Sequence, residues 1–248
     1  MSMSRYGIDA PGTVRRLSAQ ALAGLVVGAV TLGVFDGLVA FAIEAFALAY
    51  AVVTGSEAAL RFYTSTRGKE KLFAAEIAAA GLSADADVLD LGPGTGQLLA
   101  VLGRRLPGKG RIVGIDLWRQ VDQSGNALRT TEANMRAEGL AERVELVTGD
   151  FQQLPFPDAS FDLVSATLAI HNLGDREAQI RTLREAARVL RPGGRLLIID
   201  ISSMLGYAGV LEHFPEFESV EIAPARGLYP RLSVVRAQRR KTLHLVTN

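Results

Sequence analysis

VLDLGPGTGQLL, residues 88–99, is the stretch that decides how this chain folds. It opens on an apolar run ending in Asp90, passes Gly92, Gly94 and Gly96, and continues into a helical pattern. Glycines at such a turn let the backbone bend sharply and approach a ligand, and the helix that follows offers free N–H groups. The spacing is G-x-G-x-G, whereas dinucleotide sites read G-x-G-x-x-G and aim the helix at a pyrophosphate. Asp90 stands just before the loop, where a carboxylate would repel pyrophosphate and suits a cationic or amino-bearing ligand.

Working outward, apolar runs predict strands over 87–91, 111–115, 144–147, 161–166 and 195–201. Helical patterns fall at 69–80, 97–105, 127–138 and 176–190. Strands alternating with helices predict an α/β fold with a mostly parallel sheet covered on both faces. Two further runs, 220–223 and 232–237, are joined by a loop too short for a crossover helix, so they pair antiparallel. Two more acids end strands. Asp116, in IVGIDL, lies where a carboxylate can accept both hydroxyls of a ribose, and Asp150, in VELVTGDF, can accept from an adenine amino group beside Phe151. Singly each would read as a helix cap or turn residue. Three in register at the carboxyl ends of strands behind a glycine loop read as a ligand site.

The 248 residues hold one large domain with an appendage, or two small domains. A net charge of +1 gives no field that would draw nucleic acid, so none is expected as a partner. The six basic residues between Arg226 and Lys241, with no acid among them, read as a solvated strand end and tail. There is no cysteine, which excludes disulfides, zinc thiolates and a thiol nucleophile. His171, His213 and His244 are scattered without metal-ligand spacing, so no metal is expected.

The set DLGPGTG, GIDL, GDFQQLPFPDASFDLV and REAARVLRPGGRLLIID resembles the class I S-adenosylmethionine-dependent methyltransferases. The likeness runs from about Lys69 to Arg239 and is nearest to the ubiquinone and menaquinone C-methyltransferase branch. It implies a Rossmann-like seven-stranded sheet with an antiparallel last strand, and S-adenosylmethionine as cofactor. It implies that Asp90 and the Gly92, Gly94 and Gly96 backbone surround the cofactor's amino-acid end. Asp116 would hold the ribose, Leu117 the adenine face, and Asp150 with Phe151 the adenine edge. The chain departs from this branch after Asp116, where LWRQVDQSGN suggests an insertion carrying Trp118 and a polar cluster from Asp122 to Asn126. That loop reads either as a longer connection or as a flap over the adenosine. The motifs specify the cofactor and leave the methyl acceptor open, because this fold hosts many chemistries.

Methyl transfer needs mainly proximity and alignment, with a general base only where the acceptor must lose a proton. His171, just past the fourth strand, is the candidate base, with a pocket-wall role as the alternative. Tyr63, Tyr207 and His213 read as packing residues.

One segment lies outside this scheme. From Leu17 to Thr54 there is no Lys or Arg, and the acids are Asp36 and Glu44. It is too long for a signal peptide, and as a single helix it would overshoot a hydrocarbon core of about 30 Å. Asp36-Gly37 is turn chemistry and divides it into two arms of roughly spanning length. Arg15 and Arg16 before it, and Arg61, Arg67, Lys69 and Lys71 after it, put both ends on the cytoplasmic side. Gly24 with Gly28, and Gly33 with Gly37, have the spacing that lets helices pack closely. Glu44 is the weak point, since a central charge costs ~2.5–3.5 kcal/mol on insertion scales. The alternative is a soluble helix pair packed on the domain or on a partner subunit, with a homodimer through these helices.

The organisation expected is a polar tail over 1–16, a hydrophobic hairpin over 17–54, a connector over 55–68 and a methyltransferase domain over 69–248. The function expected is methyl transfer, on the cytoplasmic face of a membrane, to a lipid-soluble small molecule such as a quinone, isoprenoid or lipid. The alternatives are a non-catalytic cofactor-binding membrane protein, a soluble small-molecule methyltransferase and, more remotely, a nicotinamide-dependent oxidoreductase.

Overall fold

The structure, a computed structural model, describes residues 6–118, 127–201 and 204–241. The cluster from Asp122 to Asn126 lies outside them, as does His244.

Seven strands form one sheet: β1 (Val88–Leu91), β2 (Ile112–Asp116), β3 (Val144–Thr148), β4 (Phe161–Thr167), β5 (Leu190–Asp200), β6 (Phe217–Ala225) and β7 (Leu232–Arg239). Their order is β3-β2-β1-β4-β5-β7-β6. β1 to β5 run parallel, and β7 is antiparallel to both β5 and β6. The expected fold class is therefore the observed one. Order reverses between β1 and β4, so the switch point lies over the carboxyl ends of those strands, where open α/β sheets bind ligands.

The covering helices are α4 (Gln97–Arg105), α5 (Leu128–Ala137), α6 (Arg176–Val189) and α7 (Met204–Glu212). β1 is buried at all four positions, as a strand covered on both faces must be. One apolar cluster joins β4 and β5 to α6 and α7, and another joins β1 and β2 to α4 and to Phe73 and Ile77.

Two motif segments serve the frame rather than the ligand. Arg191 of the LRPGG run bridges Asp87 at 2.7 Å and Asp162 at 2.6 Å, at the amino ends of the strands. Arg188 holds the LPFPD loop through Asp158, Glu185 and the carbonyls of Leu154 and Phe156.

The front of the chain is a helical hairpin. α1 (Pro11–Val34) and α2 (Leu38–Tyr63) are joined at Phe35-Asp36-Gly37, where Gly37 has φ +93°. The seam is made of small side chains: Gly24 and Thr31 of α1, and Ala40, Ala47, Ala51, Thr54 and Ala58 of α2, with Leu17 at its base. Gly28 faces the seam more loosely, and Gly33 meets nothing, so only the first of the two glycine pairs is at the helix contact. Glu44 is half-buried.

Residues 55–68, expected as a connector, are helical throughout. α2 passes through a π turn (Thr64–Gly68) directly into α3 (Lys69–Ala79), forming one rod from Leu38 to Ala79. Gly68 lets the π turn close on the loop between β6 and β7, since a Cβ there would lie 2.4 Å from Leu228. Arg236 of β7 grips Glu76 of α3 at 2.6 Å, fixing the rod to the sheet.

Candidate active site

A cavity of about 510 Å³ sits over the carboxyl ends of β1, β2 and β4. One half is the sequence-predicted loop. Gly92, Pro93, Gly94 and Thr95 line it, with Asp116, Leu117 and Phe151. Gly92 has φ +69°, and a Cβ there would lie 2.6 Å from that of Ala169, so no larger residue fits. Gly96 caps α4 with φ +89° against Met135. α5 holds the loop from behind: Thr131 Oγ1 donates to Gly94 O at 2.6 Å and Asn134 Nδ2 to Thr95 O at 2.9 Å.

Asp90 lies beneath the loop, fully buried, behind the lining residues. Its Oδ1 accepts from Ser165 Oγ at 2.8 Å, while Oδ2 has no partner among the described residues. Burial pushes its pKa up to about 7, with the nearby Asp116 charge adding to the rise and Ser165 opposing it. Asp116 accepts from Trp118 N–H at 2.7 Å and Gly94 N–H at 3.3 Å. Trp118 itself is pinned by Nε1 donating to Thr148 Oγ1 at 2.9 Å. Asp150 is not among the described lining residues. Its Oδ1 accepts the Gln152 N–H at 2.9 Å, as in a turn, and its Oδ2 the Gln152 side chain at 3.3 Å.

The opposite wall comes from the front of the chain. Ile8, Asp9, Ala10 and Pro11 form a strap, and Arg61, Thr64, Ser65 and Lys69 come from the π turn and its flanks. The strap is tied at both ends. Thr95 Oγ1 donates to Tyr6 O at 3.0 Å, Asp9 and Ser65 exchange hydrogen bonds, and Lys69 Nζ pairs with Asp9 at 2.8 Å. The loop after β6 closes this wall: Tyr229 N–H donates to Thr64 Oγ1 at 2.9 Å, and the Arg61 guanidinium lies 4.8 Å over the Tyr229 ring. A strap fifty or more residues from its partners leaves no local signal in sequence.

His171 lines the cavity on a 3₁₀ turn (Ile170–Asn172) after β4. Its Nδ1 lies 2.6 Å from Oδ1 of the buried Asp200, too bent for a linear hydrogen bond, and its backbone N–H donates to Asp200 Oδ2 at 3.3 Å. Asp200 ends β5 as Asp116 ends β2, a signal the motif reading passed over. Tyr207 is buried in α7 in the core, and His213 bonds the Gly209 carbonyl at the end of that helix; neither lines the cavity. No group of three or more His, Asp or Glu that could hold a metal occurs among the described residues.

Residues 89–198 match the family described as methyltransferase domain. The ubiquinone/menaquinone biosynthesis C-methyltransferase UbiE of Hahella chejuensis is 36% identical over 122 residues, 49% of this chain and 45% of that protein. Residues 89–198 carry a methyltransferase domain. The chain spans about half the length of the curated relatives it matches. Among solved structures, the methyltransferase domain superposes on geranyl diphosphate C-methyltransferase from Streptomyces coelicolor, solved with S-adenosyl-L-homocysteine. The TM-score is 0.56 at 12% identity, covering 72% of this chain and 78% of that one. The cyclase SpnF gives 0.59 at 18% identity, covering 72% and 84%. Identities this low establish the fold alone. S-adenosylmethionine fits the methyltransferase domain's donor set, because the orphaned Asp90 oxygen and the glycine cradle suit an ammonium-bearing ligand.

Proposed function

We propose that this chain is a membrane-attached methyltransferase that moves a methyl group from S-adenosylmethionine to a lipid-soluble small molecule, such as a quinone, isoprenoid or lipid. The division into tail, hairpin, connector and methyltransferase domain belongs to the same proposal. The observation that carries it is the inverted packing of the hairpin. Small residues fill the seam while the large ones point outward: Leu38 is 83% exposed, Phe46 75% and Leu32 70%. In water a helix pair buries its large apolar side chains in the seam. In lipid, association comes from close backbone approach at small residues, and large apolar groups face the tails. The basic residues at the hairpin's root support a methyltransferase domain on the cytoplasmic face. The UbiE relatives, named for ubiquinone and menaquinone biosynthesis, support an acceptor of that type.

The cofactor supplies an electrophilic methyl on a sulfonium. Asp90 and the Gly92, Gly94 and Gly96 backbone hold the amino-acid end, Asp116 the ribose, Leu117 and Phe151 the adenine. Asp150, which already accepts from Gln152 at each oxygen, would serve the adenine edge through its remaining lone pairs. This chain's part in the transfer would be to hold the donor methyl and the acceptor atom in line and to keep water out. Where the acceptor loses a proton, His171 takes it at Nε2, with the Asp200 carboxylate beside Nδ1 at 2.6 Å.

The test is transfer of tritiated methyl from S-adenosylmethionine into a lipid extract of the native membrane. A labelled lipid supports the reading, and tight cofactor binding without any labelled product overturns it. Release of the protein by salt or carbonate without detergent removes the membrane attachment.

A further inference from the structure

We infer that the wall built from the strap and the π turn is an acceptor subsite, that Thr64 recognises the acceptor, and that the head it takes is uncharged. This rests on the methyltransferase reading and adds a class of head group and a residue.

The first observation is electrostatic. Every charged side chain on that wall already has a partner within this chain. Lys69 is held by Asp9 at 2.8 Å, and Arg61 by Glu57 at 3.0 Å. Across the cavity, His171 stands 2.6 Å from Asp200. A phosphate or carboxylate head would have to share both cations with the carboxylates already on them, and an ammonium head would have to share those carboxylates with the cations. The paired charges cancel, so a charged head gains no net attraction there to offset losing its water, whereas a neutral head needs only a hydrogen bond.

The second observation is a hydroxyl with a proton to give. Thr54 and Thr66 turn their hydroxyls back onto carbonyls four residues earlier, at 2.8 and 2.7 Å, as helical threonines do. Thr64 is almost fully buried and lines the cavity, yet its oxygen accepts from Tyr229 N–H, and no carbonyl among the described residues takes its proton. The π turn sets it there, and such turns recur where function requires a widened helix. A head-group oxygen fits that donor.

The third observation is distance. Thr64 lies ten residues past Thr54, where the apolar arm ends, so about 15 Å along the helix. An amphiphile can place its head at Thr64 while its tail stays in the bilayer.

Binding tests this without turnover. Full-length protein in phosphatidylcholine nanodiscs, saturated with S-adenosylhomocysteine, is titrated with tritiated geranylgeraniol against empty nanodiscs. Geranylgeranylamine and geranylgeranyl monophosphate, with the same tail, serve as competitors. The alcohol should bind roughly tenfold or more tightly than either charged analogue. Equal or stronger binding of the amine or phosphate overturns the inference. Thr64→Val should weaken the alcohol by about fivefold and Thr64→Ser should retain it, with the S-adenosylhomocysteine Kd unchanged. An unchanged alcohol affinity in Thr64→Val also overturns it. If the valine variant loses the cofactor product, the ranking of the three heads on the unaltered protein decides. Failure here with labelled lipid in the transfer assay leaves the methyltransferase reading standing, and the converse result removes that reading alone.

Discussion

Gly24 of α1 lies so close to Ala47 of α2 that a Cβ at Gly24 would stand 2.9 Å from the Ala47 carbonyl oxygen. The obstacle is backbone, which cannot swing aside. Gly24→Leu should force the helices apart at a cost of about 1–3 kcal/mol, as overpacking does. A fluorophore pair at the two helix roots should report the separation, while Gly33→Leu, at a position with open space, should leave it unchanged. Equal effects of the two substitutions would show that the seam is elsewhere.

On the proposed reading, in which Asp90 holds the cofactor's amino-acid end, cofactor binding should be pH-dependent. Its pKa is raised to about 7 by burial, from an ordinary 3.8. Between those values the folded protein holds a proton the unfolded chain has lost. Its stabilising contribution is therefore complete below 3.8 and is lost as pH rises through 7. An ammonium beside Oδ2 wants the carboxylate ionised, so cofactor affinity should rise with pH up to about 7. It should fall again once the ligand's α-amino group, near ~7.7–8.0, loses its proton. Calorimetric titration from pH 5 to 9 reads both limbs. Asp90→Asn should weaken binding, remove the acid limb and raise the stability of the ligand-free protein near pH 8.

His171→Ala should lower kcat by roughly 10²–10⁴ if the acceptor must lose a proton. Asp200→Asn should lower it less, because the ring keeps its place but loses its carboxylate. The S-adenosylhomocysteine Kd should not move in either. A kcat unchanged in His171→Ala would make His171 a wall residue.

Arg191 marks the contrast between frame and site. Arg191→Met should lower stability by about 1 kcal/mol, allowing for solvent screening at this half-exposed cluster. Burial alone would raise the Asp87 pKa, but hydrogen bonds and charge from Arg111 and Arg191 outweigh it and hold the group below its ordinary value. Asp87 therefore adds stability above pH 3.8 that is lost as pH falls through its lowered pKa, and Arg191→Met should shrink that acid limb. Chemical denaturation at pH 3 and pH 7 checks this, with the cofactor Kd expected to stay as it was.

Most of the sheet was legible because each strand is a short apolar run bounded by turn residues, and the glycine loop because its backbone demands are local. What escaped reading was set at long range. Gly55, Gly68 and the polar residues between them look like a break, yet packing against Leu228 and the Asp9, Lys69 and Tyr229 contacts keep the helix going. Asp150 sits at the expected strand end, but the amide two residues on competes for its carboxylate. Asp200 was visible as an acid ending a strand, and only its approach to His171 gives it meaning.

The unbroken run from Leu38 to Ala79 also restricts how this chain can vary in length. A flexible tether would absorb an extra residue. Here each residue added between Thr54 and Thr64 turns the hairpin by about 100° relative to the cavity and lifts it by about 1.5 Å. The helix is a ruler and a compass at once, so changes there should be tolerated only in near-whole turns.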